Sequence, residues 1–232
     1  MKHAIAPEHH SFYQFHGWVE FSDLISNENC RLLLEDLDKV LLKRQHLSAK
    51  YLKQITPAEK FLNGRDLFRS SPLFKKICAN SDFAGIAAAL NDVKEVRLGA
   101  DQLLPGGYAL KPKEGKLKEF FPFNEILGGM IISLNGSLQR EPMQGVKKEE
   151  DPAPFLPIPS KEGNALFFKK EKLLSMDLSL LPSSDAYLLI VYTPQKVFYV
   201  HSQNDLNSHT MRELGYQYGD YLTNQKHPLL VR

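Results

Sequence analysis

The chain is poor in the features that mark secreted and membrane-spanning proteins. Its 232 residues include only two cysteines, Cys30 and Cys78, too few for a disulfide framework in a chain of this length. No stretch approaches the roughly 20 apolar residues that cross a bilayer. The first eight residues lack the apolar run of a signal peptide. We therefore expect a cytoplasmic protein without a membrane span.

The chain also lacks an excess of charge of either sign. Lys and Arg total 29 against 27 Asp and Glu, which gives a formal net charge of +2. Nucleic-acid-binding domains are usually strongly basic or carry a one-sided basic stripe, so this balance predicts no nucleic-acid partner. The sequence has no recognition helix with basic flanks, which disfavours a metal-responsive transcription regulator.

Several short motifs of catalysis and cofactor binding are missing. The sequence has no phosphate-cradling glycine loop, no H-E-x-x-H, no paired C-x-x-C and no G-x-S-x-G. Gly106-Gly107 is an isolated turn signal. These short motifs therefore indicate no function, and any functional residues must be separated in the sequence and brought together by the fold.

The residues that are present predict a single α+β domain. Hydrophobic residues make up 43% of the chain and charged residues 24%, an ordinary globular composition. We expect a helical amino-terminal part over about residues 1–92, a β core over about 93–205, and a carboxy-terminal helix and tail over 206–232. Helices that come first and strands that follow at irregular spacing favour an antiparallel sheet over a doubly wound parallel one.

Capping signals mark three helix starts. Ser26 precedes apolar residues at helical spacing from Cys30 to Leu41. Thr56-Pro57-Ala58-Glu59 combines a capping box with proline at the first helical position, and Ser71-Pro72 repeats the cap and the proline. The alanine-rich segment Phe83–Leu90 predicts a fourth helix.

Short apolar runs between glycine, proline and asparagine residues predict the strands. The predicted strands are His16–Phe21, Val96–Leu104, Met130–Leu134, Ala165–Phe168, Tyr187–Thr193 and Val197–His201. Asn135-Gly136 is a strong hairpin-turn dipeptide. Residues 139–161 have mixed charge, several prolines and no periodicity, which predicts a long loop. This loop is either a lid over a pocket or a solvated insertion.

One spacing could serve a metal ion. His201, Asp205 and His209 would share one face of a helix and could bind zinc or iron there. The serine and asparagine residues between them favour caps and turns, so a loop leading to an N-cap near Asn207 or Ser208 is the preferred interpretation. We therefore expect no metal site from this spacing.

A cluster of four lysines could bind an anion. The cluster consists of Lys111, Lys113, Lys116 and Lys118. Glutamates interrupt it, and an anion site needs convergent donors or a helix N-terminus. A solvated connection is the preferred interpretation.

Segments spread over most of the chain match one enzyme family. They are Gly17–Phe21 with the helix Cys30–Leu41, Val96–Leu104, Gly163–Phe168, Tyr192–His201, Leu214–Asp220 and His227–Leu230. Together they resemble the phytanoyl-CoA dioxygenase-like branch of the Fe(II)/2-oxoglutarate-dependent oxygenases. The resemblance implies a double-stranded β-helix, the cupin-like jelly roll, flanked by amino-terminal helices.

The resemblance also implies a metal centre and a co-substrate site. The family binds Fe(II) through two histidines and one carboxylate. Its His-x-Asp pair matches Phe121–Glu125, where Asn124 and Glu125 are the side chains with donor atoms, and its distal histidine matches Ser175. The arginine that holds the 2-oxoglutarate carboxylate matches Asp185.

These departures from the family pattern predict a chain that has the family's fold but does not catalyse its reaction. Hard oxygen ligands bind iron weakly, and an acidic Asp185 would repel an anionic co-substrate. The preferred hypothesis is a non-catalytic module that binds an unknown small molecule or protein and needs no cofactor. The alternative is an active dioxygenase that uses Fe(II) and 2-oxoglutarate with relocated ligands such as His201, Asp205 and His209.

Overall fold

In the computed structural model, helices cover one face of an antiparallel sheet. The structure describes residues 5–136, 156–159, 161–202, 204–205 and 208–231. The helices are α1 (Pro7–His16), α2 (Asn27–Arg44), a 3-10 helix (Ala49–Gln54), α3 (Pro57–Asn63), α4 (Leu67–Ser70), α5 (Pro72–Cys78), α6 (Ser81–Leu90), α7 (Leu117–Phe120) and α8 (Ser208–Glu213). The strands are β1 (Trp18–Phe21), β2 (Val96–Pro105), β3 (Ala109–Gly115), β4 (Gly128–Ser133), β5 (Ala165–Lys169), β6 (Leu174–Asp177), β7 (Ala186–Thr193) and β8 (Leu229–Val231). Within these described ranges, every helix is too short or too polar to cross a bilayer.

Six strands form the main sheet in the order β1-β5-β4-β7-β2-β8, and each neighbouring pair is antiparallel. The sheet is curled into a half-barrel. A second sheet joins β3 to β6, with Glu114 opposite Ser175 and Gly115 opposite Leu174. The predicted combination of amino-terminal helices and an antiparallel sheet is confirmed.

The alternation of side chains along the strands builds two separate cores. Successive side chains of a strand point to opposite faces of the sheet. On β7, Leu188 and Ile190 belong to the first core, under the helices. Tyr187, Leu189 and Val191 belong to the second core, on the other face. All eight residues of β7 are buried, so this strand is apolar on both sides.

The predicted helix starts are confirmed by their capping bonds. Ser26 Oγ accepts the Asn29 N–H at 3.3 Å. Thr56 Oγ1 accepts the Glu59 N–H at 3.3 Å, and the Glu59 carboxylate accepts the Thr56 N–H at 2.7 Å. Ser71 Oγ accepts two backbone N–H groups of α5. These bonds satisfy donors that the first turn of a helix otherwise leaves unpaired.

Other elements differ from the sequence prediction. Helix α1 and strands β3, β6 and β8 are not predicted, and β6 and β8 are only four and three residues long, too short to display alternation. Val197–His201 is not a continuous strand, because its residues make isolated bridges to Phe123 and Tyr221. The residues that follow Asn135-Gly136, from 137 to 155, lie outside the described residues, so the hairpin stays a prediction. Strand β4 pairs with β5 and β7.

A buried carboxylate on β2 holds α4 against the sheet. Asp101 Oδ1 accepts the Leu67 N–H at 2.6 Å, and its Oδ2 accepts the Phe68 N–H at 3.4 Å. Burial, followed by the negative charge of Asp66, raises the pKa of Asp101 to about 7. The nearby Arg44 guanidinium acts in the opposite direction but does not cancel this increase.

Replacing Asp101 by Asn should remove a pH-dependent contribution to stability. A carboxyl group with a pKa of about 7 in the folded protein and 3.8 in the unfolded chain stabilises the fold fully below the lower value. That stabilisation is lost as the pH rises towards 7, at about 1.4 kcal/mol per pH unit. Urea titrations between about pH 5 and 8 should therefore show a steeper fall in the free energy of unfolding for the natural protein than for Asp101→Asn. Parallel profiles would show that Asp101 titrates at its ordinary pKa.

Candidate functional site

The second core fills the space between the main sheet and the β3–β6 pair. This is the interior in which the family resemblance places its metal centre. Its largest fully buried side chains are Phe120, Phe121, Phe123, Phe168, Tyr187 and Tyr199. Aliphatic side chains from β2, β4, β5, β6 and β7 pack among these rings. The interior is therefore a hydrophobic core at the position of an expected pocket.

Asn124 and Glu125, which match the family's His-x-Asp pair, both serve other contacts. Asn124 Oδ1 accepts the Phe198 N–H at 2.7 Å, and the Asn124 N–H donates to Phe198 O at 3.1 Å. This reciprocal pair joins the segment before β4 to the segment after β7. Glu125 is exposed, with its Oε1 3.7 Å from Lys170 Nζ. Neither side chain is part of the second core.

Ser175, which matches the distal histidine, lies at the rim of a small cavity. The cavity has a volume of about 20 Å³, which is room for about one water molecule. Most of its lining is apolar, and the lining residues are Leu104, Ile131, Leu156, Pro157, Ile158, Leu174, Ser175, Leu178 and Tyr187. The Ser175 side chain is itself exposed. A lone hydroxyl at the rim offers a weak ligand in place of an imidazole.

The described end of the predicted 139–161 loop forms part of this wall. The Leu156 N–H donates to Leu173 O at 2.9 Å, next to β6. The Leu156 side chain is buried in the second core, and Ile158 packs against the same core. Residues 137–155 and 160 lie outside the described residues. The lid hypothesis therefore stays a prediction for most of the loop.

Asp185, which matches the co-substrate arginine, is a buried acid directly before β7. Its side chain is 2% exposed, and the Tyr187 hydroxyl donates to its Oδ2 at 3.4 Å. Its backbone carbonyl accepts the Gly106 N–H at 2.8 Å, which ties it to the turn after β2. A buried carboxylate therefore stands where a dicarboxylate ligand requires a cation.

The histidines of the metal-like spacing do not share a helix face with Asp205. Helix α8 begins at Ser208, so His201 and Asp205 precede it in non-helical chain, as the turn-forming residues predict. His201 is exposed, with its Nδ1 3.4 Å from the Tyr218 hydroxyl. The His209 side chain lies outside the described part of the structure. Across the described residues, no three His, Cys, Asp or Glu side chains are placed to hold a metal ion.

The lysine cluster lies on β3 and at the start of α7. Lys111, Lys113, Lys116 and Lys118 are all exposed. Lys113 Nζ lies 2.7 Å from Asp177 Oδ2 on the paired strand β6, and this hydrogen bond is the largest cause that lowers the pKa of Asp177 to about 2. All four side chains face solvent, as expected for a solvated connection, which is the interpretation preferred from the sequence.

Sequence reasoning missed His227, whose imidazole is buried behind the second core. Its Nδ1 lies 2.9 Å from Gly99 O, while its Nε2 has no hydrogen-bond partner among the described residues. Burial, followed by the positive charge of Arg69, lowers the pKa of His227 to about 3. The rings of Phe123 and Tyr216 lie next to it. Because its neighbours are aromatic rings and a cation, this imidazole is a poor place for a metal ion.

The donor atoms do not fit a centre of Fe(II) and 2-oxoglutarate. Such a centre needs two imidazoles and a carboxylate that converge on open coordination positions. The matching positions hold an amide engaged with backbone, a surface carboxylate and an exposed hydroxyl, while the nearby buried imidazole is isolated. The position of the co-substrate cation holds a buried acid.

Comparison with solved structures gives the fold. The non-haem alpha-ketoglutarate-dependent carbocyclase SnoK, from nogalamycin biosynthesis, superposes with a TM-score of 0.66 at 14% identity, covering 98% of this chain and 97% of SnoK. The epimerase SnoN, from the same biosynthesis, gives 0.65 at 14% identity, covering 97% and 98%. CytC3, solved with Fe(II) and alpha-ketoglutarate, gives 0.51 at 12% identity, covering 86% and 81%. The chain has the fold of these enzymes.

At these identities the likeness extends to the fold alone. No protein-family model and no curated protein matches the sequence. The fold implied by the family resemblance is thus supported, and the phytanoyl-CoA dioxygenase-like branch stays a prediction.

Truncating a large buried side chain near the positions that match the metal ligands should destabilise the fold, because the interior there is packed. Phe121→Ala should lower the free energy of unfolding by about 3–5 kcal/mol, because Phe121 is 1% exposed and its loss leaves a cavity. Glu125→Ala, four residues further along, is the matched control and should change it by no more than about 0.5 kcal/mol. Urea unfolding of both variants measures the difference. A loss below about 1 kcal/mol for Phe121→Ala would show a loosely filled interior.

Proposed function

We propose that this chain is a non-catalytic binding protein of the phytanoyl-CoA dioxygenase-like branch of the oxygenases, built on their double-stranded β-helix. The proposal depends chiefly on one observation: Phe120, Phe121 and Phe123 are fully buried in the interior where the reaction would take place. The segments that resemble the family support the branch, and the solved structures support the fold.

The strand arrangement supports a jelly roll. The strands β5-β4-β7-β2 form the centre of the main sheet, and β3 pairs with β6 on the far side of the second core. A jelly roll has eight strands in two facing sheets. Strands β2 to β7 correspond to six of these eight.

The residues at the ligand positions support a loss of iron binding. Asn124 is committed to the Phe198 backbone, and Glu125 points to solvent near Lys170. Bringing these two side chains to Ser175 would still assemble an amide, a carboxylate and a hydroxyl. Such hard oxygen donors suit Mg²⁺, Ca²⁺ or Mn²⁺ better than a two-histidine iron centre.

The environment of Asp185 supports a loss of 2-oxoglutarate binding. A dicarboxylate in the interior would place its negative charge beside a carboxylate that is 2% exposed. Like charges repel strongly when water is excluded. The adjoining cavity of about 20 Å³ also leaves no room for a dicarboxylate.

The small size of this cavity disfavours a small organic ligand at the position of the family's active site. Pockets for such ligands usually enclose about 300–1,000 Å³ and bury most of the ligand. This cavity has room for about one water molecule, which favours recognition at the outer surface. On that surface, Tyr218 and Tyr221 are 56% and 64% exposed, and the Tyr218 ring lies beside Tyr199 of the second core and beside His201. These rings are suited to contact a protein partner.

Isothermal titration tests the proposal. Fe(II) under anaerobic conditions, Mn(II) and 2-oxoglutarate, alone and together, should give no binding heat up to about millimolar concentration. The metals should not bind because Asn124 and Glu125 are engaged in other contacts, and 2-oxoglutarate should not bind because a carboxylate, Asp185, replaces the expected cation. A 2-oxoglutarate-dependent enzyme of the same fold, titrated in parallel, verifies the conditions. Micromolar affinity for a metal or for 2-oxoglutarate would overturn the proposal.

A variant of His201 tests the competing hypothesis, in which relocated ligands such as His201 bind a metal ion. If metal binds, His201→Ala should abolish it under that hypothesis, because His201 is a proposed ligand. His46→Ala, at another exposed histidine, is the matched control. Metal content by atomic absorption after dialysis separates the two variants.

A further inference from the structure

The basic residues of the chain are concentrated in one stretch of the helical layer. Residues 39–76 contain ten Lys and Arg and only two Asp and Glu, a net charge of +8, while the whole chain carries +2. The remaining residues are therefore net acidic. All 38 residues of this stretch are described by the structure. Overall charge balance thus conceals a strongly basic segment.

The exposed members of this segment are lysines. Lys39, Lys43, Lys50, Lys53, Lys75 and Lys76 are all exposed. Two of the arginines are engaged within the protein, since Arg44 donates to the Asn63 carbonyl and Arg69 Nε lies 2.9 Å from Asp66 Oδ2. The Glu59 carboxylate is used to cap α3. The six lysines therefore face solvent.

Contacts between the helices join the elements that carry these lysines into one layer. Arg44, in the last turn of α2, donates to the carbonyls of Asn63 and Asp66 and so ties α2 to the connection between α3 and α4. The Ser71 hydroxyl donates to the Asp36 carboxylate and ties the start of α5 to α2. The 3-10 helix follows α2 directly, with the Leu47 N–H bonded to Leu42 O at 2.9 Å.

Exposed leucines lie among the lysines. Leu62 on α3 is 57% exposed, Leu73 on α5 is 38% exposed, and Leu47 after α2 is 37% exposed. Leu47 lies between Lys43 and Lys50 in the sequence, and Leu73 precedes Lys75 and Lys76. We name this surface, formed by the six lysines with Leu47, Leu62 and Leu73, the lysine–leucine face.

We propose that the lysine–leucine face docks on an anionic membrane surface. Lysines near a bilayer are attracted to acidic headgroups, and their flexible stems allow the ammonium groups to stay in the headgroup layer. Exposed leucines can enter the boundary between headgroups and acyl chains, as in amphipathic helices that lie on membranes. The face therefore combines the two attractions that a peripheral membrane protein requires.

Two other polyanionic or acidic partners fit the face less well. Nucleic-acid sites rely on arginine and on stacking by aromatic rings, whereas two arginines here are occupied and the Tyr51 ring has Lys50 Nζ 4.9 Å from its centroid. Protein interfaces are depleted in lysine relative to the rest of the surface. Exposed leucines beside lysines match a lipid surface better than either.

Vesicle sedimentation with the full chain tests the proposal. The protein should sediment with phosphatidylcholine vesicles that contain about a quarter phosphatidylserine, should not sediment with phosphatidylcholine alone, and should dissociate as NaCl rises from about 50 to 500 mM. Lys50→Glu with Lys53→Glu should weaken binding about tenfold or more, because two attractive charges become repulsive. Lys94→Glu with Lys196→Glu changes the same charge at exposed lysines outside the face and should bind nearly as well as the natural protein.

Three results would overturn the proposal. They are no sedimentation with anionic vesicles at low salt, equal loss in the two charge-reversal variants, and tighter binding to a duplex DNA or RNA oligomer than to the vesicles. Leu62→Ser provides a separate check, because Leu62 is exposed and the change should not affect folding. This variant should bind vesicles several-fold more weakly, and unchanged binding would argue against a lipid surface. Circular dichroism confirms that each variant is folded.

Discussion

Strand β7 is buried on both of its faces, and this burial constrains the rest of the molecule. An antiparallel strand can leave one face in water, but all eight residues of β7 are excluded from solvent. Its first face requires the helical layer, and its second requires the core that contains Leu189 and Val191. An open pocket beside that second face would expose the same apolar side chains, each of which contributes about 1.5–3 kcal/mol by its burial. The aromatic residues of the second core are therefore part of the sheet's own stability.

Two buried ionisable side chains on strand β2, Asp101 and Arg97, connect the main sheet to the helices and to the carboxy-terminal segment. Asp101 accepts N–H groups at the start of α4 and so fixes the helical layer. Arg97 Nε donates to Gln195 O at 3.1 Å, and its guanidinium also donates to the His227 carbonyl, which fixes the carboxy-terminal segment. Buried charges are costly unless their hydrogen bonds are satisfied, so both groups hold specific partners in place. The carboxy-terminal segment and helix α4 are thereby fixed to the same strand.

Local signals were sufficient to predict the helix starts, because caps such as Ser26 and Thr56 act within four residues of sequence. The family resemblance also predicted which residues match the family's ligand positions. It could not indicate where those side chains point. Asn124 is turned to the backbone of Phe198, 74 residues away, and this contact depends on how two segments meet in the folded chain. Short β6 and the buried His227 were missed for the same reason, since pairing and burial at these places come from distant residues.

The packed interior favours recognition at the outside of the fold, where the sheet separates two different surfaces. The exposed ring of Tyr218 lies beside Tyr199 of the second core, while the lysine–leucine face belongs to the helices over the first core. The main sheet lies between these two cores. A ligand at one surface therefore does not cover the other by direct contact, and binding at both can be simultaneous. Attachment to an anionic membrane through the helices would leave Tyr218 and Tyr221 free to meet a protein partner. Binding at both surfaces would give the proposed non-catalytic protein a physical reason to keep the whole fold.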